Sequence, residues 1–258
     1  MQMKRIIAIT NQKGGVGKTT TAINLAAAMA ESGKKVLLID MDPQGNASSG
    51  LGIDKDSLDH TSYEVLMGES SIQEAVIRDV FPNLDVLPSS IDLSGAEIEL
   101  IDVESKEYRL KNAMESLQKR YDYAIIDCPP ALSMLTINAL TTADSVLVPI
   151  QCEFYALEGL TQLLYTIDLV KKKLNPELYV EGIVFTMYDM RTNLSLQVVE
   201  NVRENLKQHI YRTVIPRNVR LAEAPSYGQP INVYDPKSSG AGAYARLAQE
   251  VIKNTKRR

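Results

Sequence analysis

Eight consecutive residues, Lys13-Gly14-Gly15-Val16-Gly17-Lys18-Thr19-Thr20, are of the types needed to wrap a polyphosphate. Glycines at 14, 15 and 17 let backbone N–H groups approach phosphate oxygens with no side chain in the way. Lys18 is placed to reach the β- and γ-phosphates, and the Thr19 hydroxyl to bind Mg²⁺. Carboxylates follow two later apolar runs. Asp40 and Asp42 stand in Asp40-Met41-Asp42-Pro43-Gln44-Gly45-Asn46, where Pro43 and Gly45 favour a turn that faces both acids toward the phosphates. Asp127 ends Tyr123-Ala124-Ile125-Ile126 and precedes Cys128-Pro129-Pro130; it reads as a Walker B acid that holds Mg²⁺ through water. Phosphoryl transfer asks mainly for positioning and charge neutralisation, which these groups can supply. The set predicts a Mg·ATP site.

The elements that must carry these residues are legible around them. Arg5-Ile6-Ile7-Ala8-Ile9-Thr10 is a short β-branched run that ends at the glycine loop. Thr19–Ser32 has high helix propensity, with Ile23, Leu25, Ala26 and Met29 on one face, and Gly33 stops it. Val36-Leu37-Leu38-Ile39 is a second buried strand. Strand, loop, helix, strand is the opening βαβ unit of a parallel sheet, and side chains at the carboxyl ends of its strands share one edge. Further strands are expected at Leu84–Leu87, Tyr123–Ile126, Ser145–Ile150, Val180–Thr186 and Thr213–Ile215. Helices are expected at Glu107–Arg120, Leu157–Leu174, Leu194–His209 and Ala241–Lys256. The acidic, weakly periodic stretch Asp54–Asp79 carries no clear pattern. With no repeat and no Pro/Ser-rich linker, the expectation is one α/β domain over residues 1–258: a mostly parallel twisted sheet flanked by helices, of the P-loop NTPase type.

Composition narrows the function classes. No apolar run approaches the roughly 20 residues of a membrane span, and Met1–Thr10 lacks a signal-peptide cleavage region, so the expectation is a cytoplasmic protein. Two cysteines, Cys128 and Cys152, with two histidines and no CxxC pair, give poor support to a zinc or iron–sulfur site. The net charge of −4 argues against a globally basic nucleic-acid binder. It is unevenly spread. Residues 1–185 carry 16 Lys and Arg against 26 Asp and Glu, whereas residues 186–258 carry 12 against 6. A local anion-binding face in the last third is therefore permitted.

One departure from the standard phosphate loop is informative. Gln12 stands where the usual pattern has glycine, and a second lysine, Lys13, opens the loop. This arrangement resembles the deviant Walker A motif of the ParA/MinD superfamily. Asp42-Pro43-Gln44-Gly45-Asn46, Asp127-Cys128-Pro129-Pro130, Thr186-Met187-Tyr188-Asp189 and Val214–Pro225 resemble, more narrowly, the chromosomal ParA (Soj) partitioning proteins, and the likeness runs from about Lys4 to Val251. The resemblance implies that Lys13 acts in trans across an ATP-bound sandwich homodimer. It implies that Asp42 is tied to hydrolysis while Asp40 supports the metal and Lys18, and that Met187, Pro216 and Asn218 lie near the adenine. It matches Arg191 and Arg220 to DNA-binding arginines, with Lys237, Arg246, Lys253, Lys256, Arg257 and Arg258 able to widen the same face. It further implies non-specific binding to double-stranded DNA, nucleoid association, and a ParB-type partner that stimulates hydrolysis. Two relatives compete. A MinD-like protein would need an amphipathic tail for membrane binding, and here the segment from Tyr244 offers only Leu247, Val251 and Ile252 before a basic end. A nitrogenase-like reductase would need two cluster cysteines per subunit, and neither Cys128 nor Cys152 has that surface-loop context.

Overall fold

The computed structural model describes residue 3 and residues 5–118, 121–153 and 156–255. Seven strands form one sheet: β1 (Arg5–Ile9), β2 (Val36–Asp40), β3 (Ile77–Phe81), β4 (Leu84–Leu87), β5 (Tyr123–Asp127), β6 (Ser145–Gln151) and β7 (Tyr179–Thr186). Their spatial order is β3-β4-β2-β5-β1-β6-β7. Every pairing is parallel except β3 with β4. β2, β4 and β5 are buried along their whole length, as apolar runs covered on both faces must be.

Eight helices matter here: α1 (Lys18–Glu31), α2 (Leu93–Glu99), α3 (Arg109–Glu115), α4 (Met134–Thr142), α5 (Ala156–Lys173), α6 (Asn193–Asn205), α7 (Val219–Glu223) and α8 (Ser239–Thr255). One face of the sheet packs Leu93 and Leu100, Leu110, Leu135 and Leu163 into a single core. The other face packs Ile23, Leu25 and Met29 of α1 with Tyr244, Leu247 and Val251 of α8. The late amphipathic helix therefore spends its apolar stripe inside the domain, against α1.

Two sequence expectations need correction, and one stretch without an assignment proves to be structured. Thr213–Ile215 is not a strand. The amides of Arg212 and Thr213 donate to the Glu250 carboxylate at 3.0 and 2.9 Å, and Pro216 has no N–H, so only scattered ladder contacts to β7 form, such as Ile215 N–H to Phe185 C=O at 2.8 Å. The helix expected over Glu107–Arg120 is a 3₁₀ turn at Lys106–Tyr108 followed by α3, because the Ser116 hydroxyl donates to the Ala113 carbonyl and closes the last turn early; Arg120 lies outside the described residues. In the stretch without a clear pattern, a helix at Ser62–Met67 is fixed by the Thr61–Glu64 capping pair, and antiparallel β3 follows it.

The register decides the site. Asp127 of β5 is opposite Ile9 on one side and Asp40 on the other. The phosphate loop, the Asp42 turn and the Asp127 turn thus leave one sheet edge side by side.

Candidate functional site

The chain leaves β1 at Ile9 and enters α1 at Lys18 through a loop held from both flanks. Asn11 Nδ2 donates to the Pro149 carbonyl at 2.8 Å, and the Lys13 amide donates to Asn11 Oδ1 at 3.0 Å. From β7, the Thr186 hydroxyl donates to the Val16 carbonyl at 2.8 Å. Gly15 and Gly17 have φ of 74° and 83°, the left-handed region where a side chain is strained. Nothing lies within 4 Å of where a Cβ would stand on Gly14 or Gly15, so that side of the loop is open. Gly17 supplies no side-chain cap, and the first turn of α1 contains no acid. Its free amides present a positive helix end to the loop, suited to an anion.

Lys18 is buried, and its Nζ donates to the Lys13 carbonyl at 3.0 Å. Burial lowers its pKa, and the charges of Asp127, Cys128 and Asp42 oppose that shift. An ammonium ion so placed gains from any further negative charge brought to the loop. Lys13 reaches the opposite way, with Nζ 2.6 Å from Glu153 Oε2.

The three carboxylates differ in their surroundings. Asp40 is fully buried and already used: Oδ2 accepts from the Ser48 amide at 2.8 Å and the Ser48 hydroxyl at 2.7 Å, and Oδ1 accepts from the Asp42 amide at 3.2 Å. It shapes the turn that carries Asp42. Burial pushes its pKa up to about 6 against those hydrogen bonds. Asp42 Oδ1 accepts from the Gln44 amide at 3.0 Å, and its backbone carbonyl accepts from the Ser89 hydroxyl at 2.8 Å. Asp127 is also fully buried, and among the described residues neither of its oxygens has a partner in full hydrogen-bond geometry; the Thr19 hydroxyl beside it makes only a weak contact. Burial, then the neighbouring Asp40 carboxylate, drive its pKa well above the usual range, while the Thr19 hydroxyl and Lys18 pull it down. A buried acid so sparsely hydrogen-bonded, beside a hydroxyl and an ammonium ion, fits a hydrated divalent cation.

Next to Gly17 and Thr20 opens a mostly apolar cavity of about 320 Å³. Met187, Pro216 and Asn218 all line it, so the three candidate base neighbours are brought together. Asn218 is also the N-cap of α7: its Oδ1 accepts from the Arg220 amide at 2.8 Å. Ile215, Arg217, Leu221 and Tyr244 are among the other residues of the wall and were not foreseen as site residues. The only local signal for them is Asn218 itself, a capping residue opening a short helix. Tyr244 comes from α8 and reaches the site through tertiary packing alone.

The two candidate DNA-contacting arginines ride on adjacent segments. The Arg217 amide donates to the Tyr188 carbonyl at 3.1 Å, which ties Met187–Arg191 to Pro216–Arg220. Arg191 is 86% exposed and held in two contacts with Asp189, at 2.9 and 2.7 Å. Arg220 pairs with Glu223 at 2.8 Å and with Asp235 at 3.5 Å. Lys237, Arg246 and Lys253 are exposed, whereas Lys256, Arg257 and Arg258 lie outside the described residues.

A parallel sheet with a glycine loop and a strand-end acid at one edge defines the class: a P-loop nucleotide-binding protein. A family model for the AAA domain matches residues 4–180. The chain is 57% identical over 252 residues to the sporulation initiation inhibitor protein Soj of Bacillus subtilis, a match spanning 98% of this chain and 100% of that one. It is 55% identical over 249 residues to the chromosome partitioning protein ParA of Myxococcus xanthus, spanning 96% and 88% of the two chains. Among solved structures it matches a cobyrinic acid a,c-diamide synthase of Mycobacterium smegmatis with bound ADP and magnesium, at 40% identity and a TM-score of 0.87, covering 99% of this chain and 96% of that one. The chain belongs to the Soj/ParA family of chromosome-partitioning ATPases.

Proposed function

We propose that this chain is a Mg²⁺-dependent, slow ATPase that pairs into a sandwich homodimer on binding ATP, binds double-stranded DNA without sequence preference in that state, and is discharged by a ParB-type partner that accelerates hydrolysis. The observation that carries the nucleotide reading is the sparsely hydrogen-bonded, buried carboxylate of Asp127 beside Lys18 and Thr19 at the mouth of the glycine loop. The amides of Gly14–Thr20 and the Lys18 ammonium take the phosphates, and Met187, Pro216 and Asn218 close on the base. Thr19 and Asp127 would hold magnesium, with Asp40 supporting them from behind through the turn it shapes. When bound, the ion neutralises charge developing on the phosphate oxygens. Asp42 orients the water that attacks the γ-phosphorus, and ADP leaves. Lys13 reaches the phosphates of the second subunit, so that the nucleotide joins two copies. Repeated release and rebinding on the nucleoid would move or position DNA cargo in the cytoplasm.

Two other readings receive less support. The apolar residues that a MinD-like tail would offer to a membrane, Leu247 and Val251, are buried against the domain, and no helix among the described residues is long and apolar enough to cross a bilayer. A nitrogenase-like reductase would need two cysteines per subunit able to give up their protons to a cluster. Here burial pushes both cysteines up, Cys152 to about 11 and Cys128 well above the usual value.

Light scattering of the purified protein with ADP, with ATP, and with ATP plus duplex DNA tests the reading. A doubled mass with ATP alone and further assembly on DNA are expected. A chain that stays monomeric with ATP when hydrolysis is blocked refutes it.

A further inference from the structure

Helix α2 follows the site directly and is apolar on the wrong side. Its core face is Leu93, Ala96 and Leu100, all fully buried. The opposite face carries Ile91, Ile98 and Ile101, exposed by 70%, 73% and 57%. Turns that donate Ser94 N–H to Ile91 C=O and Ile101 N–H to Ile98 C=O carry the coil one residue set beyond each end of the helix, with Asp92 and Leu100 both in the right-handed helical region. At about 100° per residue, Ile91 and Ile98 then lie on one line, with Ile101 beside them and only Ser94 and Gly95 between. Three large side chains facing water together are a surface with a use, because isolated exposed apolar residues are common and such rows are not.

The charges around the row are mainly acidic, with Lys106, whose ammonium donates to the Ile101 carbonyl, set against them. Residues 91–104 contain Asp92, Glu97, Glu99, Asp102 and Glu104 and no lysine or arginine. On the helical wheel Glu97 flanks the row on one side and Glu99 and Asp92 on the other. A polyphosphate or a nucleic acid is repelled here. A segment with an apolar stripe edged by lysines and arginines is attracted, and an amphipathic helix has that form.

The face is wired to the site. Ser89 and Ser90 connect β4 to Ile91; the Ser89 hydroxyl donates to the Asp42 carbonyl at 2.8 Å, and the Ser89 amide donates to the Ser48 hydroxyl at 3.0 Å. That hydroxyl in turn donates to Asp40. A pull on Ile91 thus acts two residues away on the turn that positions Asp42.

We infer that the Ile91–Ile98–Ile101 row is the docking face for a basic amphipathic segment of the protein partner, and that docking speeds hydrolysis through the Ser89–Asp42 contact. This rests on the partner-stimulated ATPase reading above, and the test separates the two. The probe is a helical lysine–leucine peptide of about 18 residues, with leucines at i, i+3, i+4 and i+7; a scrambled peptide of equal charge is the control. Peptide binding is measured by fluorescence anisotropy on the full chain, and phosphate release is measured separately.

The peptide is expected to bind the unmodified chain at low salt, more weakly as salt rises, and to raise phosphate release at least threefold. Ile98→Ser and the double charge reversal Glu97→Lys/Asp102→Lys should each weaken binding about tenfold and leave basal turnover unchanged. Ser89→Ala should keep the binding and lose the acceleration. No binding at low salt, equal binding by the scrambled peptide, or variants that bind like the unmodified chain would overturn the inference. So would loss of ATP-driven pairing in Ile98→Ser, which would assign the row to contact between two copies. Absence of any basal turnover in the unmodified chain would instead sink the ATPase reading, and the binding measurement would still judge the docking face.

Discussion

The Lys13 ammonium lies 2.6 Å from the Glu153 carboxylate, two residues beyond the end of β6, so the lysine that distinguishes this phosphate loop is held within its own subunit. The pair is partly exposed, at 39% and 45%, and such pairs hold by at most about 1 kcal/mol. It is a restraint that a second subunit's triphosphate can outcompete. Glu153→Gln removes the restraint and keeps the side chain's shape. If Lys13 works across the dimer, this variant should pair in ATP up to about fivefold more tightly, given a pair of that strength. Sedimentation velocity with a hydrolysis-resistant ATP analogue reads the change. Unaltered or weaker pairing counts against a restraining role for Glu153.

Asp42 should separate binding from turnover. Its carboxylate sits close enough to Lys18 to raise that lysine's pKa, but it donates nothing to the loop's own fold beyond accepting the Gln44 amide. Asp42→Ala is expected to bind Mg·ATP and pair, with hydrolysis reduced roughly 100-fold or more, the usual cost of losing a positioned acid or base. Rapid-quench measurement of phosphate release decides it. Hydrolysis at the unmodified rate removes Asp42 from its assigned role.

Why some of this could be read from the sequence and some could not follows from distance along the chain. The glycine loop, the strand-end acids and β1, β2 and β5 are local patterns: a run of buried residues, a turn, a charge. Met187, Pro216 and Asn218 were placed together only by family likeness, and the cavity does gather them. Three features had no local signal. Glu153 meets Lys13 from 140 positions away, Glu250 takes the amides that would have made Thr213–Ile215 a strand, and Tyr244 reaches the cavity from the last helix. Each is a pairing that exists only after the sheet has formed. The edge strand β3 went unseen because its residues are half-exposed and lack the unbroken apolar run of the central strands.

The arginine face makes a paired prediction. Arg220 is engaged by Glu223 at 2.8 Å and Asp235 at 3.5 Å, and its side chain is still 55% exposed. Arg220→Glu should leave ATP-driven pairing intact and weaken duplex DNA binding, with a shallower dependence on salt, because one phosphate contact per subunit is lost. Glu223→Gln takes a competitor away from the same guanidinium and should tighten DNA binding by a few-fold. Filter binding across a salt series reads both. DNA affinity unmoved by either change would place the nucleic-acid face elsewhere.

The buried acids give the protein a pH dependence of definite sign. The Asp40 carboxyl is pushed up to about 6, burial being the main cause, whereas in the unfolded chain it titrates near 3.9. A raised folded-state pKa means that the folded form holds the proton more tightly. The stabilisation is therefore fully present below about 4 and is lost as the pH rises through about 6. A shift of this size corresponds to roughly 2–3 kcal/mol. Asp40→Asn cannot titrate; it also places an amide against the Ser48 and Asp42 donors, so it should be less stable at every pH. The informative quantity is the slope. Urea unfolding of both proteins in chelator, from pH 4.5 to 7.5, should show the unmodified chain losing stability relative to Asp40→Asn as pH increases. Parallel curves across that window would mean that Asp40 stays charged in the folded domain, and that the three hydrogen bonds it accepts outweigh its burial.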